Sequence, residues 1–171
     1  TWKPRRNCHL IRTSILPSIM NRSAQLVQMG GKYHDQIRAL IDLRSSTPDD
    51  LKIVVKEHPT QLRRTMNGYK GRSIEHYKAI ESIKNTILVS ADLDSEELVE
   101  NSVFVASVAG TPSLQAALRG KRAVVFGDAW FKNVRNIHDF EEISSMDRLP
   151  EYSFEEVQWS VEEFIQRHTI C

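Results

Sequence analysis

The stretch Leu51-Lys52-Ile53-Val54-Val55-Lys56 decides the fold class. It is rich in β-branched residues and nearly continuously apolar, and Pro59 stops it three residues later. A strand with one wet face alternates apolar and polar residues. A near-continuous apolar run fits a strand covered on both faces, as in a parallel sheet with helices on either side. Val103 to Val108 and Arg122 to Phe126 read the same way, and Thr86 to Val89 reads as a short strand. Cys8 to Leu16 reads as a further strand ended by Pro17.

Helical signals fill the intervals. Apolar residues at 33, 37, 40 and 41 predict a helix over 33–43. Ser73 caps a helix running to about Ile83, and Asp94 with Glu97 forms a capping-box signature before a helix to Asn101. Thr111 reads as an N-cap with Pro112 at the first helical position, and Gly120 marks the stop. Ser153 and Glu156 open a terminal helix to about His168, in which Phe154, Val157, Val161 and Phe164 form a core stripe. Residues 128–150 read as irregular, with Trp130 and Phe131 expected in the core. The alternation of strands and helices predicts an α/β fold, a Rossmann-like parallel sheet flanked by helices. Residues 1–32 are expected to be an irregular segment or interdomain remnant, and residues 33–171 the Rossmann-like domain.

Composition narrows the function classes. A length of 171 residues suits about one domain, and 40% hydrophobic with 26% charged residues excludes global disorder. No apolar run approaches the ~18–20 residues of a membrane span. The 23 basic residues nearly balance the 22 acidic ones, leaving +1, so no nucleic-acid partner is expected. Cys8 and Cys171 form neither a disulfide framework nor a zinc spacing. Free thiols suit a reducing compartment, so the expected location is cytoplasmic, with peripheral attachment at the inner membrane through partners.

Ligands of open parallel sheets sit beyond the carboxyl ends of the strands, and three such ends carry chemistry. At the first, Lys56 and His58 present donors for an anionic oxygen, and Arg63, Arg64, Lys70 and Arg72 follow in a basic loop. At the second, Ser107 leads through Gly110 and Thr111 to Ser113 and Gln115. Gly110 permits close backbone approach, the hydroxyls and the first helical turn suit an anion, and Gln115 suits a ribose hydroxyl. At the third, Phe126 to Trp130 offers aromatic rings for a base or sugar, although core packing is the simpler role.

The second turn is neither a dinucleotide fingerprint nor a Walker loop, and no nucleophile elbow occurs. His34-Asp35 and His138-Asp139 lack the further ligands that a metal centre requires, so no metal and no cofactor is expected. The catalytic group is unassigned from spacing, with His58 open to proton transfer or to binding.

Taken in order, these motifs resemble one family. Lys56-Glu57-His58-Pro59 with Gly71-Arg72 is similar to the Lys-Glu-His-Pro then Gly-Arg pattern of the bacterial capsule polysaccharide biosynthesis family. Gly110-Thr111 through Gly120-Lys121, then Val125-Phe126-Gly127, resembles its second block, and the resemblance covers roughly residues 28–135. Gln115 stands where that family has Glu, and Arg122 where it has Pro.

The resemblance implies one lobe of a GT-B glycosyltransferase, the C-terminal half that binds the nucleotide-sugar donor. It implies that His58, Thr111 and Ser113 hold the donor phosphate, with Lys56 and Arg72 as electrostatic helpers. It also implies a nucleotide-activated sugar as substrate, CMP-linked in some members, and a glycan acceptor. The chain starts at Thr1, and an N-terminal acceptor domain is expected outside it. Two other readings stand: half of a sugar-nucleotide 2-epimerase, which needs several carboxylates in its cleft, and a non-catalytic nucleotide- or glycan-binding module.

Overall fold

Every residue of β2 (Lys52–Glu57) after Lys52 is buried. Its alternate side chains enter two different cores, as the near-continuous apolar run requires. The structure is a computed structural model. It describes residues 31–57, 73–143, 146 and 149–169, with residues 13–18 and 168–169 described by backbone only.

Ile53 and Val55 point to one face of the sheet, with Phe104, Ala106 and Val124. There they meet Leu40 and Leu43 of α1 (Gln36–Ser46) and Ile80 of α2 (Ile74–Ser82). Val54 points to the other face, with Val105, Ala123 and Val125. That core is completed by Leu98 and Val99 of α3 (Ser95–Glu100), Ala116 and Ala117 of α4 (Thr111–Ala117) and Val157 of α5 (Phe154–Thr169).

The sheet has six parallel strands in the order β3-β2-β1-β4-β5-β6. The remaining strands are β1 (Thr13–Ser18), β3 (Thr86–Val89), β4 (Ser102–Ser107), β5 (Arg122–Val125) and β6 (Ile137–Asp139). This is the α/β, Rossmann-like arrangement expected, of the kind that forms one lobe of a GT-B architecture, and its strand order places a topological switch point between β1 and β4.

Local chemistry starts and stops the helices. Asp35 accepts the Ile37 N–H at 2.9 Å, Ser73 the His76 N–H at 3.3 Å and Asp94 the Glu96 N–H at 2.8 Å. At α5 the capping box is reciprocal. Glu156 N donates to Ser153 Oγ at 3.3 Å, and Ser153 N donates to Glu156 Oε2 at 2.9 Å. Beyond α1, the Arg44 guanidinium donates to the carbonyls of Thr47, Pro48 and Leu51, closing the turn into β2.

The structure corrects several expectations. The boundary at residue 33 does not bound the sheet, because β1 lies in its middle, paired with β2 and β4. That strand also includes Pro17. Pairs with β4 end at Ile15↔Val105, whereas pairs with β2 run on through Pro17↔Lys56 to Ser18↔Glu57. Pro17 therefore sits where β1 has one hydrogen-bonded neighbour, and its missing N–H interrupts little.

The stretch expected to be irregular contains β6, three residues added to the edge beside β5. Thr111 is the first residue of α4 rather than its cap, and Gly110 occupies the N-cap without a side-chain hydrogen bond. Phe154 is 48% exposed and Trp130 56% exposed, so neither is core, while Val157 and Phe131 are fully buried.

Candidate functional site at the switch point

Past Ile15 and Val105 the ladder between β1 and β4 stops, at the carboxyl edge where open parallel sheets place their ligand crevice. Register places Lys56 opposite Pro17, and Ser107 two residues beyond Val105. Lys56 and Ser107 thus stand at one height on one face of the sheet, two strand spacings or about 10 Å apart.

Lys56 is 6% exposed. No hydrogen bond or ion pair reaches its ammonium among the described residues. Burial lowers its pKa from the usual lysine value, and the negative charges of Asp92 and Asp94 oppose that effect. Those two carboxylates come from the turn between β3 and α3. Only the helix-starting role of Asp94 was legible in the sequence, because their proximity to Lys56 depends on β3 lying beside β2. The neighbouring Glu57 is also buried and faces the opposite side of the sheet, where its Oε2 accepts a hydrogen bond from the Tyr77 hydroxyl at 2.9 Å.

The turn after β4 is built from inside. Ser107 and Ser113 are fully buried. Gly110 N donates to Ser107 Oγ at 3.2 Å, the two hydroxyls lie 2.6 Å apart, and Ser113 Oγ donates to the Val124 carbonyl at 3.3 Å. One proton assignment satisfies all three contacts: Ser107 donates to Ser113, which donates to Val124.

The first turn of α4 offers fewer free donors than its sequence suggests. Gly110 N–H is taken by Ser107, Pro112 has none, and Ser113 N–H bonds the Gly110 carbonyl at 3.2 Å. Thr111 N–H has no acceptor among the described residues. Gly110 is buried, and the Thr111 and Gln115 side chains are exposed. His58 and Arg72, and the basic loop with Arg63, Arg64 and Lys70, lie outside the described residues.

The loop after β5 is tied to this turn. Phe126 N bonds the Ser107 carbonyl at 3.1 Å, and Gly127 N bonds the Val108 carbonyl at 2.7 Å. Three residues on, the exposed Trp130 ring meets buried Phe131 edge-on at 5.2 Å and Phe164 of α5 in a tilted contact at 5.6 Å. The two His-Asp pairs have structural uses. Asp35 caps α1 while His34 Nδ1 contacts the Gly31 carbonyl at 2.9 Å, and Asp139 accepts the Glu141 N–H at 3.0 Å.

A parallel sheet in this order, with polar residues at its switch point, defines a Rossmann-like α/β domain. The chain belongs to the family described as "Capsule polysaccharide biosynthesis protein", whose profile matches residues 13–135, more than half its length. The match runs from the first residue of β1 to Arg135, two residues before β6.

No curated protein matches the chain significantly. Among solved structures it is similar to Thermosulfurimonas dismutans KpsC, titled a beta Kdo 2,7 transferase. The identity is 14% and the TM-score 0.60, over 92% of this chain and 45% of that one. The chain thus spans less than half the length of KpsC, and the likeness is one of fold. A second structure, the MAR1 ribonuclease of Caenorhabditis elegans, is 11% identical over 94% of this chain and 76% of that one. Its TM-score of 0.38 is too low to carry an argument.

Proposed function

We propose that this chain is the donor-binding half of a glycosyltransferase that builds a surface or capsular polysaccharide. Its ligand in this reading is a nucleotide-activated sugar, seated at the carboxyl edge between β1 and β4. The observation that carries the reading is Lys56, a largely buried lysine at the switch-side edge whose ammonium makes no hydrogen bond or ion pair with the described residues. A cation in that setting is costly unless an anion meets it, and a diphosphate or phosphodiester supplies one. Membership of the capsule polysaccharide family and the transferase title of KpsC support the same chemistry.

In this reading Lys56, His58 and Arg72 face the donor phosphate. Gly110 lets the backbone approach it, Thr111 offers a hydroxyl and an N–H, and Gln115 reaches toward the ribose. Stabilising the departing nucleotide charge is the contribution of this half to the reaction, and a separate acceptor domain positions the glycan. The location proposed is the cytoplasm. No described helix is long and apolar enough to cross a membrane.

A thermal-shift panel of CMP, CDP, UMP, UDP, GDP and ADP tests the reading. At about 100 times Kd, linkage stabilises by about 2.7 kcal/mol, which is roughly 5–11 °C for a domain of this size. The expected result is a shift with one base, reduced at least tenfold in affinity by His58→Ala. No shift with any nucleotide rejects it.

A further inference from the structure

We infer that Ser107 and Ser113 are positioning residues that hold the Gly110–Thr111 turn against the sheet and touch no ligand themselves. The resemblance assigned Ser113 to the donor phosphate, and the geometry gives its hydroxyl another task. Both side chains are fully buried, and both hydroxyls are consumed inside the fold. The series runs Gly110 N–H to Ser107, Ser107 to Ser113, and Ser113 to the Val124 carbonyl. It ties the turn after β4 to β5.

The consequence is directional. Gly110 N–H is drawn inward, and the Thr111 N–H at the carboxyl edge of the sheet has no acceptor among the described residues. A loop without this strut has the same residues at the edge but no single orientation for them, and each added conformation dilutes the binding-competent one. Ser107 matters more than Ser113. Losing Ser107 orphans the Gly110 N–H, whereas losing Ser113 leaves Ser107 a second acceptor, the Gly110 carbonyl at 3.2 Å.

The functional half of this inference rests on the nucleotide-binding reading, and the structural half does not. Amide hydrogen exchange of Gly110 and nucleotide affinity are measured in the unaltered chain and in Ser107→Ala, Ser113→Ala and Ser160→Ala. Ser160 is the control, a buried serine of α5 whose hydroxyl donates to the Val157 carbonyl at 2.7 Å and accepts the Arg135 N–H at 3.1 Å.

Gly110 exchange should accelerate at least tenfold in Ser107→Ala, less in Ser113→Ala and not in Ser160→Ala. CMP, or whichever nucleotide of the panel binds, should lose at least fivefold in affinity in Ser107→Ala, with Ser160→Ala unchanged. If Ser107→Ala does not fold, Ser113→Ala carries the same comparison. Gly110 exchange equal in all variants overturns the inference, as does an affinity loss that Ser160→Ala shares. Accelerated exchange with no nucleotide binding to any form upholds the strut and rejects the proposed ligand instead.

Discussion

An ammonium that folding takes out of water raises the free energy of the native state unless an anion meets it. Lys56 is such a group. Its pKa is lowered by burial, so its contribution to stability is present above the unfolded value near 10.5 and lost as pH falls through the lowered folded one. At neutral pH the charged form is therefore a cost. Lys56→Met should raise Tm at pH 7 by roughly 2–4 °C, about 1 kcal/mol, and weaken nucleotide binding at least tenfold. Calorimetry and titration of the same preparation check both, and a lower Tm contradicts the argument. At this scale the sequence showed which residue types stand at the strand ends, because a strand's last residue is legible from the apolar run before it. It did not show where the side chains are spent. Ser107 and Ser113 looked like ligand hydroxyls and are internal bonds, and Trp130 looked like core and is exposed.

Among the elements, α4 and α5 depend on their ends. The Lys121 N–H reaches the Ala116 carbonyl at 2.9 Å and the Gly120 N–H reaches that of Ala117 at 2.9 Å, with Gly120 at φ +74°. Nothing lies within 4 Å of a Cβ placed there, so Gly120→Ala tests backbone strain alone. It should destabilise by about 1 kcal/mol, read as a fall in the urea midpoint at constant slope. Ser153→Ala breaks the α5 capping box and should cost about 1 kcal/mol by the same measurement.

On β6, His138 is half-buried. Desolvation lowers its pKa from 6.5, the positive charge of Arg122 lowers it further, and a hydrogen bond with the Pro150 backbone opposes both. A lowered histidine contributes stability above pH 6.5 that is lost as pH falls through its folded value. The Tm should therefore decline between pH 7 and 5, and His138→Asn should flatten that decline. The caps of α2, α3 and α5 were legible because Ser73, Asp94 and Ser153 act within their own turn. β6 was not, because Ile137-His138-Asp139 has too few residues for a period and gains its ladder only from β5.

For the whole molecule, strands and helices in alternation were readable as a layered parallel sheet, but the sheet order was not. β1 sits at the centre although its segment was set apart from the domain, since its place is set by pairs with residues about forty and ninety positions away in the chain. That central place creates the switch point that Lys56 and the Ser107–Thr111 turn flank. The account's central claim is that a nucleotide binds there. Amide chemical-shift mapping during titration with the nucleotide that the thermal panel selects tests it directly. The account predicts shifts confined to the carboxyl edge, at Lys56, Glu57, Val108, Gly110, Thr111 and Gly127. Arg122, Asn136 and Ile137 at the amino edge should stay still. Shifts centred on the amino edge, or none anywhere at saturating nucleotide, would contradict it.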